Sequence, residues 1–144
     1  MSQLYLSLGS NIGDRKKNIT DATLLCSALI GTLQTLSSFY ETEPWGFSSP
    51  NKFINAVICL ETDKSPEQCL ALAKGIEREM GRQPSGKEGY EDRIIDIDIL
   101  FYDDLVIQTE ELTIPHPHIG ERDFVLMPLV EIAPELIKKI KEKK

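Results

Sequence analysis

The segment Arg93-Ile94-Ile95-Asp96-Ile97-Asp98-Ile99-Leu100-Phe101 constrains the fold more than any other part of the chain. Isoleucine dominates it, and a branched β-carbon favours the pleated strand over the helix. Alternate side chains of a strand share a face, so Ile95, Ile97, Ile99 and Phe101 are expected to point one way and Asp96 and Asp98 together the other. If the strand is central in its sheet, two carboxylates stand side by side in a poorly solvated place. They repel there unless a cation neutralises them. Magnesium fits, because hard divalent cations take carboxylate oxygens and leave positions open for water and substrate phosphates. An edge strand with a wet polar face satisfies the same pattern, and the rest of the chain decides between the two.

A chain of 144 residues matches one domain, expected to span 1–144. No apolar run is long enough to span a bilayer, and Met1-Ser2-Gln3-Leu4 opens without a basic or apolar leader. A cytoplasmic protein with no membrane partner is expected. Cys26, Cys59 and Cys69 each lie in an apolar periodic segment and form no C-x-x-C pair, which reads as three reduced core residues. A net charge of −7 excludes a general affinity for nucleic acid, whose phosphates need a basic surface. An anionic ligand would need a local basic pocket or a metal.

Along the chain, Leu4, Leu6 and Leu8 alternate with Tyr5 and Ser7 as a first strand, which is expected to end in a turn at Gly9-Ser10-Asn11-Ile12-Gly13-Asp14. That turn lacks the lysine of a Walker phosphate loop. Ile19, Ala22, Leu25, Cys26, Leu29 and Ile30 recur at helical spacing, predicting a helix from Asp14 to about Ile30. Residues 33–43 read as a second strand and Phe53–Thr62 as a third. Between them, the loop with Trp45 is either a ligand platform or folded on its own aromatics. Asn55 shares a face with Phe53 and Val57 and needs polar partners. Ser65-Pro66-Glu67-Gln68 spells a helix start with a capping box, and Gly81 ends that helix.

A dozen polar residues from Arg82 to Arg93 then lead into the acidic strand. Loops this long in a compact domain are functional or disordered. With basic ends and an acidic exit, this one could close over a phosphate held between metal and guanidinium. Asp103-Asp104 is expected to turn the chain into a short strand over 105–107. His116 and His118 lack a third nitrogen or sulfur ligand for zinc, which leaves them as phosphate-contacting or surface histidines. The element order is that of an α+β, ferredoxin-like βαββαβ antiparallel sheet with helices packed on one face, plus a C-terminal hairpin and short helices.

Six segments, in order, resemble the 6-hydroxymethyl-7,8-dihydropterin pyrophosphokinases of folate biosynthesis. They are Leu8-Gly9-Ser10-Asn11, Ser37–Thr42, Phe53-Ile54-Asn55-Ala56, Ile76-Glu77 with Gly81-Arg82, Arg93–Leu100, and Leu112–His116 with Arg122-Asp123-Phe124. The resemblance runs from Leu4 to about Leu136. It implies ATP as co-substrate and two Mg²⁺ on Asp96 and Asp98. It puts Arg82, Arg93, His116 and Arg122 on the triphosphate and Glu77, Ile99, Leu112 and Thr113 around the nucleotide. For the pterin it implies Thr42, Glu43 and Trp45 at the rim, with Asp96 beside it. Asn55 would then meet the ring edge, and Phe53 and Phe124 would sandwich the ring. The hydroxymethyl oxygen would attack the β-phosphorus, with AMP leaving and no protein nucleophile. A monomer is expected.

Several positions depart from the family pattern. Tyr90-Glu91-Asp92-Arg93 replaces a Trp followed by Pro-Arg, Pro84 and Lys87 stand where a second lid arginine is common, Phe53 replaces Tyr, and Glu43 replaces Pro. These changes bear on loop behaviour and affinity. A non-catalytic ferredoxin-like domain that binds pterin or nucleotide is the alternative reading. An RNA-binding module is disfavoured by the apolar first strand and the acidic charge.

Overall fold

The first strand, β1 (Ser2–Ser10), lies between two partners in an antiparallel sheet. The computed structural model describes residues 1–43, 50–81, 94–117 and 119–137. After β1 come α1 (Arg15–Leu29), β2 (Thr32–Leu36), β3 (Tyr40–Thr42), β4 (Phe53–Thr62), α2 (Pro66–Glu79) and β5 (Asp96–Tyr102). A hairpin of β6 (Ile107–Gln108) and β7 (Thr113–Ile114), a 3₁₀ turn (Ile119–Glu121) and α3 (Asp123–Ile132) complete the described elements. The strand order is β2-β4-β1-β5, and β3 also pairs with β4.

Both long helices start where the sequence places them. Asp14 caps α1 by accepting from Lys17 N at 3.2 Å. Ser65 and Gln68 form a reciprocal capping box on α2, with Pro66 in its first turn. The apolar stripes of both helices, including Ile19, Ala22 and Cys26 of α1 and Cys69, Ala73 and Ile76 of α2, pack on one face of the sheet against Leu4, Leu6, Leu8, Ala56, Ile58, Ile97 and Ile99. The opposite face is not bare, contrary to the one-face expectation. There α3 lays Val125 and Leu129 over Tyr5, Val57, Cys59, Leu100 and Phe101. With Phe124, Val125, Leu126, Leu129 and Ile132 in its ten residues and only two charged side chains, α3 has the apolar surface to cover that face.

Three strand boundaries differ from the sequence reading. β1 continues through Gly9 and Ser10, because both pair with β4 instead of turning. The expected strand over 33–43 is two strands, separated at Ser37, whose hydroxyl and amide engage Val57. The expected strand over 105–107 shifts to β6, keeping only Ile107 of it, after a turn at Asp103, at φ 49°, and Asp104. Phe101 also changes face. Leu6 pairs with Ile99 but Tyr5 with Phe101, so Leu100 is an extra residue in the ladder. Such a bulge resets the alternation. Ile95, Ile97 and Ile99 therefore lie under α1 and α2, while Leu100 and Phe101 lie under α3.

The three cysteines are buried and unbridged, and burial pushes the Cys26 thiol up to about 12. That suits inert core thiols. Among the described residues no helix is long and apolar enough to cross a membrane.

The turn from α1 to β2 passes tightly against β4. A Cβ on Gly31 would run into the Glu61 carbonyl oxygen and come within 3.0 Å of Thr62 Cβ. Gly31→Ala is therefore expected to lower stability by about 1–3 kcal/mol, as overpacking against backbone does. Chemical denaturation of the two proteins checks it.

Candidate active site

Pairing across the sheet assembles the polar face. Tyr40, Asn55, Gly9 and Asp96 form one row across four strands. Val57, Ser7 and Asp98 form the next. Directly opposed residues share a face, so Asn55, Asp96 and Asp98 look the same way, toward the α3 side. With neighbouring strands about 4.8 Å apart, the backbones at Asn55 and Asp96 are about 10 Å apart. Gly9 lies between them and contributes no side chain. A Cβ there would come within 2.8 Å of Asn55 Oδ1 and 3.3 Å of Phe53 Cδ1. The result is a floor of bare backbone with an amide on one side and carboxylates on the other.

On the β4 side, Asn55 is 2% exposed and its Nδ2 donates to Thr42 Oγ1 at 2.7 Å. Phe53 pairs with Thr42 at the end of β3. Glu43 is exposed and pairs with Lys52 Nζ at 3.5 Å. On the β5 side, Asp98 Oδ2 lies 3.4 Å from Arg122 Nη1 and 4.0 Å from His116 Nε2. Arg122 is 4% exposed, at the N-cap of α3, and its guanidinium carbon sits 5.4 Å from the centroid of the Phe124 ring. At that distance the cation and the ring face attract. One end of α3 thus delivers both a buried cation and an aromatic ring to the polar face.

Beside this face, a cleft of about 300 Å³ is lined by Glu77, Asp96, Asp98, Ile99, Leu112, Thr113 and His116, together with Lys74. Glu77 is buried, and its Oε2 accepts from Ile97 N at 2.8 Å. The amide it holds belongs to the residue between the two aspartates. Every described residue expected around the nucleotide or on the triphosphate therefore lies in this cleft or, as with Arg122, against Asp98. Trp45, Arg82, Arg93 and the remainder of the two long loops lie outside the described residues.

The sequence reading missed three contributors. Gly9 read as a turn signal, yet its odd position in the alternation of β1 puts it on the Asp96 face. Ser7 follows the same phase. Lys74 stands three residues before Glu77 on α2, so helical spacing places both on one face.

Magnesium can be tested against these donors. Among the described residues no group of three or more His, Cys, Asp or Glu side chains gathers around one point. Two half-exposed carboxylates with open surroundings suit a cation that keeps waters and takes phosphate oxygens, and they suit zinc poorly.

The far end of α3 is tied to the other wall. Glu131 accepts from Ser38 N at 2.9 Å, from Tyr40 OH at 2.8 Å and from Ser38 Oγ at 2.8 Å. These bonds, the Ser38 amide first, hold the Glu131 carboxyl below the ordinary carboxylate range, while the same contact raises the Tyr40 phenol.

The architecture matches longer solved chains. HPPK-DHPS in complex with substrates gives a TM-score of 0.72 at 17% identity, over 93% of this chain and 40% of that one. Wild-type Plasmodium falciparum HPPK-DHPS with pterin and p-hydroxybenzoate gives 0.72 at 19%, again over 93% and 40%. At such identities the likeness shows the fold, a mixed α/β unit with an antiparallel sheet. The sequence shows more. The model of the 7,8-dihydro-6-hydroxymethylpterin-pyrophosphokinase family matches residues 5–134. Proteins named 2-amino-4-hydroxy-6-hydroxymethyldihydropteridine pyrophosphokinase are 49% identical in Porphyromonas gingivalis, over 94% of both chains, and 41% identical in Aquifex aeolicus, over 99% of this chain and 88% of that one. The chain belongs to this pyrophosphokinase family.

Two outcomes follow from this geometry. Gly9→Ala should displace the Asn55 amide and raise the Michaelis constant for the substrate seated on the Asn55 side more than that for the other, which steady-state kinetics with each substrate varied will show. Glu131 favours folding only when ionised, because its folded value lies below its unfolded one. That contribution is complete above the ordinary glutamate range and is lost as pH falls through the lowered value. The difference in melting temperature between wild type and Glu131→Gln should therefore be widest near about pH 7 and narrow below about pH 4. A gap independent of pH would contradict the assignment.

Proposed function

We propose that this protein transfers the pyrophosphoryl group of ATP to the 6-hydroxymethyl group of 6-hydroxymethyl-7,8-dihydropterin, giving AMP and the pterin diphosphate in folate biosynthesis. Family membership supports the reaction. The observation that carries the site is the row Asn55, Gly9, Asp96, with Asp98 and buried Arg122 in the next row. It joins an amide suited to a heterocycle edge with an acidic pair suited to cation-bound phosphates, about 10 Å away.

In this reading the pterin lies over Gly9 between Phe53 and Phe124. Its polar edge meets Asn55, whose amide orientation Thr42 fixes, while Glu43 and Trp45 stand at the rim. Two flat rings and one amide suit a planar heterocycle with polar edges. The 300 Å³ cleft receives ATP, with Leu112, Thr113 and Ile99 around the nucleoside and Arg122 and His116 toward the triphosphate. Arg82 and Arg93 join the triphosphate by the family pattern. Asp96 and Asp98 would hold two Mg²⁺, which supply charge neutralisation at the phosphates.

The hydroxymethyl oxygen bonds to the β-phosphorus and releases its proton to solvent as the bond from that phosphorus to the AMP oxygen breaks. This needs alignment and charge stabilisation and no covalent intermediate. Glu77, gripping the Ile97 amide, holds both aspartates at a fixed pitch. Lys74 adds a cation at the cleft wall.

We further assign the sheet to the ferredoxin-like βαββαβ arrangement, supported by the order β2-β4-β1-β5 with every pair antiparallel. A single domain over 1–144, a monomeric state and a cytoplasmic location are part of the same proposal. Three buried free thiols support the last.

The test is AMP release from ATP and Mg²⁺, with and without the pterin, in wild type and Asp96→Ala. Pterin-dependent AMP that falls by several orders of magnitude in the variant is expected. AMP formation that survives Asp96→Ala would remove the metal assignment, and wild-type protein that binds pterin without releasing AMP would favour the non-catalytic reading.

A further inference from the structure

We propose that Glu131 is a positioning residue that sets the separation of the two walls between which the pterin ring is held. The inference rests on the placement of the pterin between Phe53 and Phe124.

One wall is carried by α3. Phe124 and Glu131 are seven residues apart, which is two helical turns, so they lie on the same face about 10 Å from one another. The end of α3 that bears Phe124 is weakly held by the helix itself. Its N-cap, Arg122, makes no side-chain cap hydrogen bond. Pro128, inside the helix, cannot supply the amide that would otherwise meet the Phe124 carbonyl. The helix is placed by what it touches: the packing of Val125 and Leu129 on the sheet, the Arg122–Asp98 ion pair at its start, and the bonds made by Glu131 toward its end.

The other wall is carried by β3 and the start of β4. β3 has three residues and pairs with β4 opposite Asn55, Ile54 and Phe53. Glu131 reaches both the connector before β3, through Ser38, and β3 itself, through Tyr40. Tyr40 is opposite Asn55, and Thr42, two residues on, accepts from the Asn55 amide. A single carboxylate therefore ties the helix carrying Phe124 to the strand that orients Asn55 and flanks Phe53. Bonds to an ionised acceptor are shorter and stronger than neutral ones, so this tie resists displacement. Glu131 does not line the ATP cleft, and its bonds go to Ser38 and Tyr40 on the opposite wall.

The test measures pterin and ATP dissociation constants by calorimetry, with Mg²⁺ and a non-reactive ATP analogue, and steady-state KM and kcat. The proteins are wild type, Glu131→Ala, Glu131→Gln, Tyr40→Phe and the Glu131→Ala, Tyr40→Phe double variant, with Asn55→Ala as a reference for the slot. Glu131→Ala should raise pterin KM and Kd about tenfold and change the ATP analogue's Kd less than about twofold. Glu131→Gln keeps an acceptor oxygen and should recover most of the pterin affinity. Tyr40→Phe should raise pterin KM by about threefold alone and by nothing further in the Glu131→Ala background. If Glu131→Ala does not fold, the Tyr40→Phe result decides.

A lowered melting temperature with unchanged pterin KM in Glu131→Ala and Tyr40→Phe, while Asn55→Ala raises it, would show a merely structural tie and overturn the inference. Unchanged pterin affinity in Asn55→Ala as well would overturn the slot itself and the role of Glu131 with it.

Discussion

The site depends on the pairing of β1 with both neighbours in one uninterrupted register from Leu6 to Gly9. That register alone brings Asn55 of β4 and Asp96 of β5, far apart in sequence, into the same row. It also decides that the residue between them is a glycine. A slip of one position would replace Gly9 in that row by Leu8 or Ser10 and turn the aspartates toward α1 and α2. Burial enforces the register, since Leu4, Leu6 and Leu8 are fully buried and have one face on which to be so.

Much of this was legible in the sequence because the local signals agree with the global fold. The capping box of α2, the cap of α1, the spacing of their apolar residues and the Ile/Asp alternation of β5 each point to the element that forms. The clustering of Glu77, Asp96, Asp98, Leu112, Thr113 and His116 at one cleft was legible only through the family resemblance, because they come from separate elements and no local pattern links them. The bulge at Leu100 left no mark, since an all-apolar run of Ile99-Leu100-Phe101 satisfies either face. Gly9 misled because glycine signals a turn as readily as a strand position that must lack a side chain. Glu131 passed unnoticed as one exposed carboxylate among many; its partners, Ser38 and Tyr40, are about ninety residues earlier.

The acidic charge of the chain and its anionic ligand are compatible because the cations are local. The net charge is −7 and the cleft itself carries Glu77, Glu110 and Glu111 besides the two aspartates, yet Arg122 is buried against Asp98, and Lys74 and His116 also line the cleft. Charge within a few ångströms of a partly desolvated phosphate outweighs a diffuse surface charge that salt screens over about 8–10 Å. The arrangement separates two tasks. The buried Arg122 guanidinium offers attraction to a phosphate beside Asp98, and the acidic exterior disfavours extended polyanions.

Glu77 has a consequence outside chemistry. β5 is the last strand of its sheet, with β1 on one side only. An outer strand offers unpaired amides and carbonyls on which another chain can build. Here the Ile97 amide is taken by the buried Glu77 carboxylate, and the Leu100 carbonyl accepts the His116 amide at 3.2 Å. The cleft walls therefore also seal the border of the sheet, and loss of Glu77 would open a template for intermolecular strand addition beside the cleft.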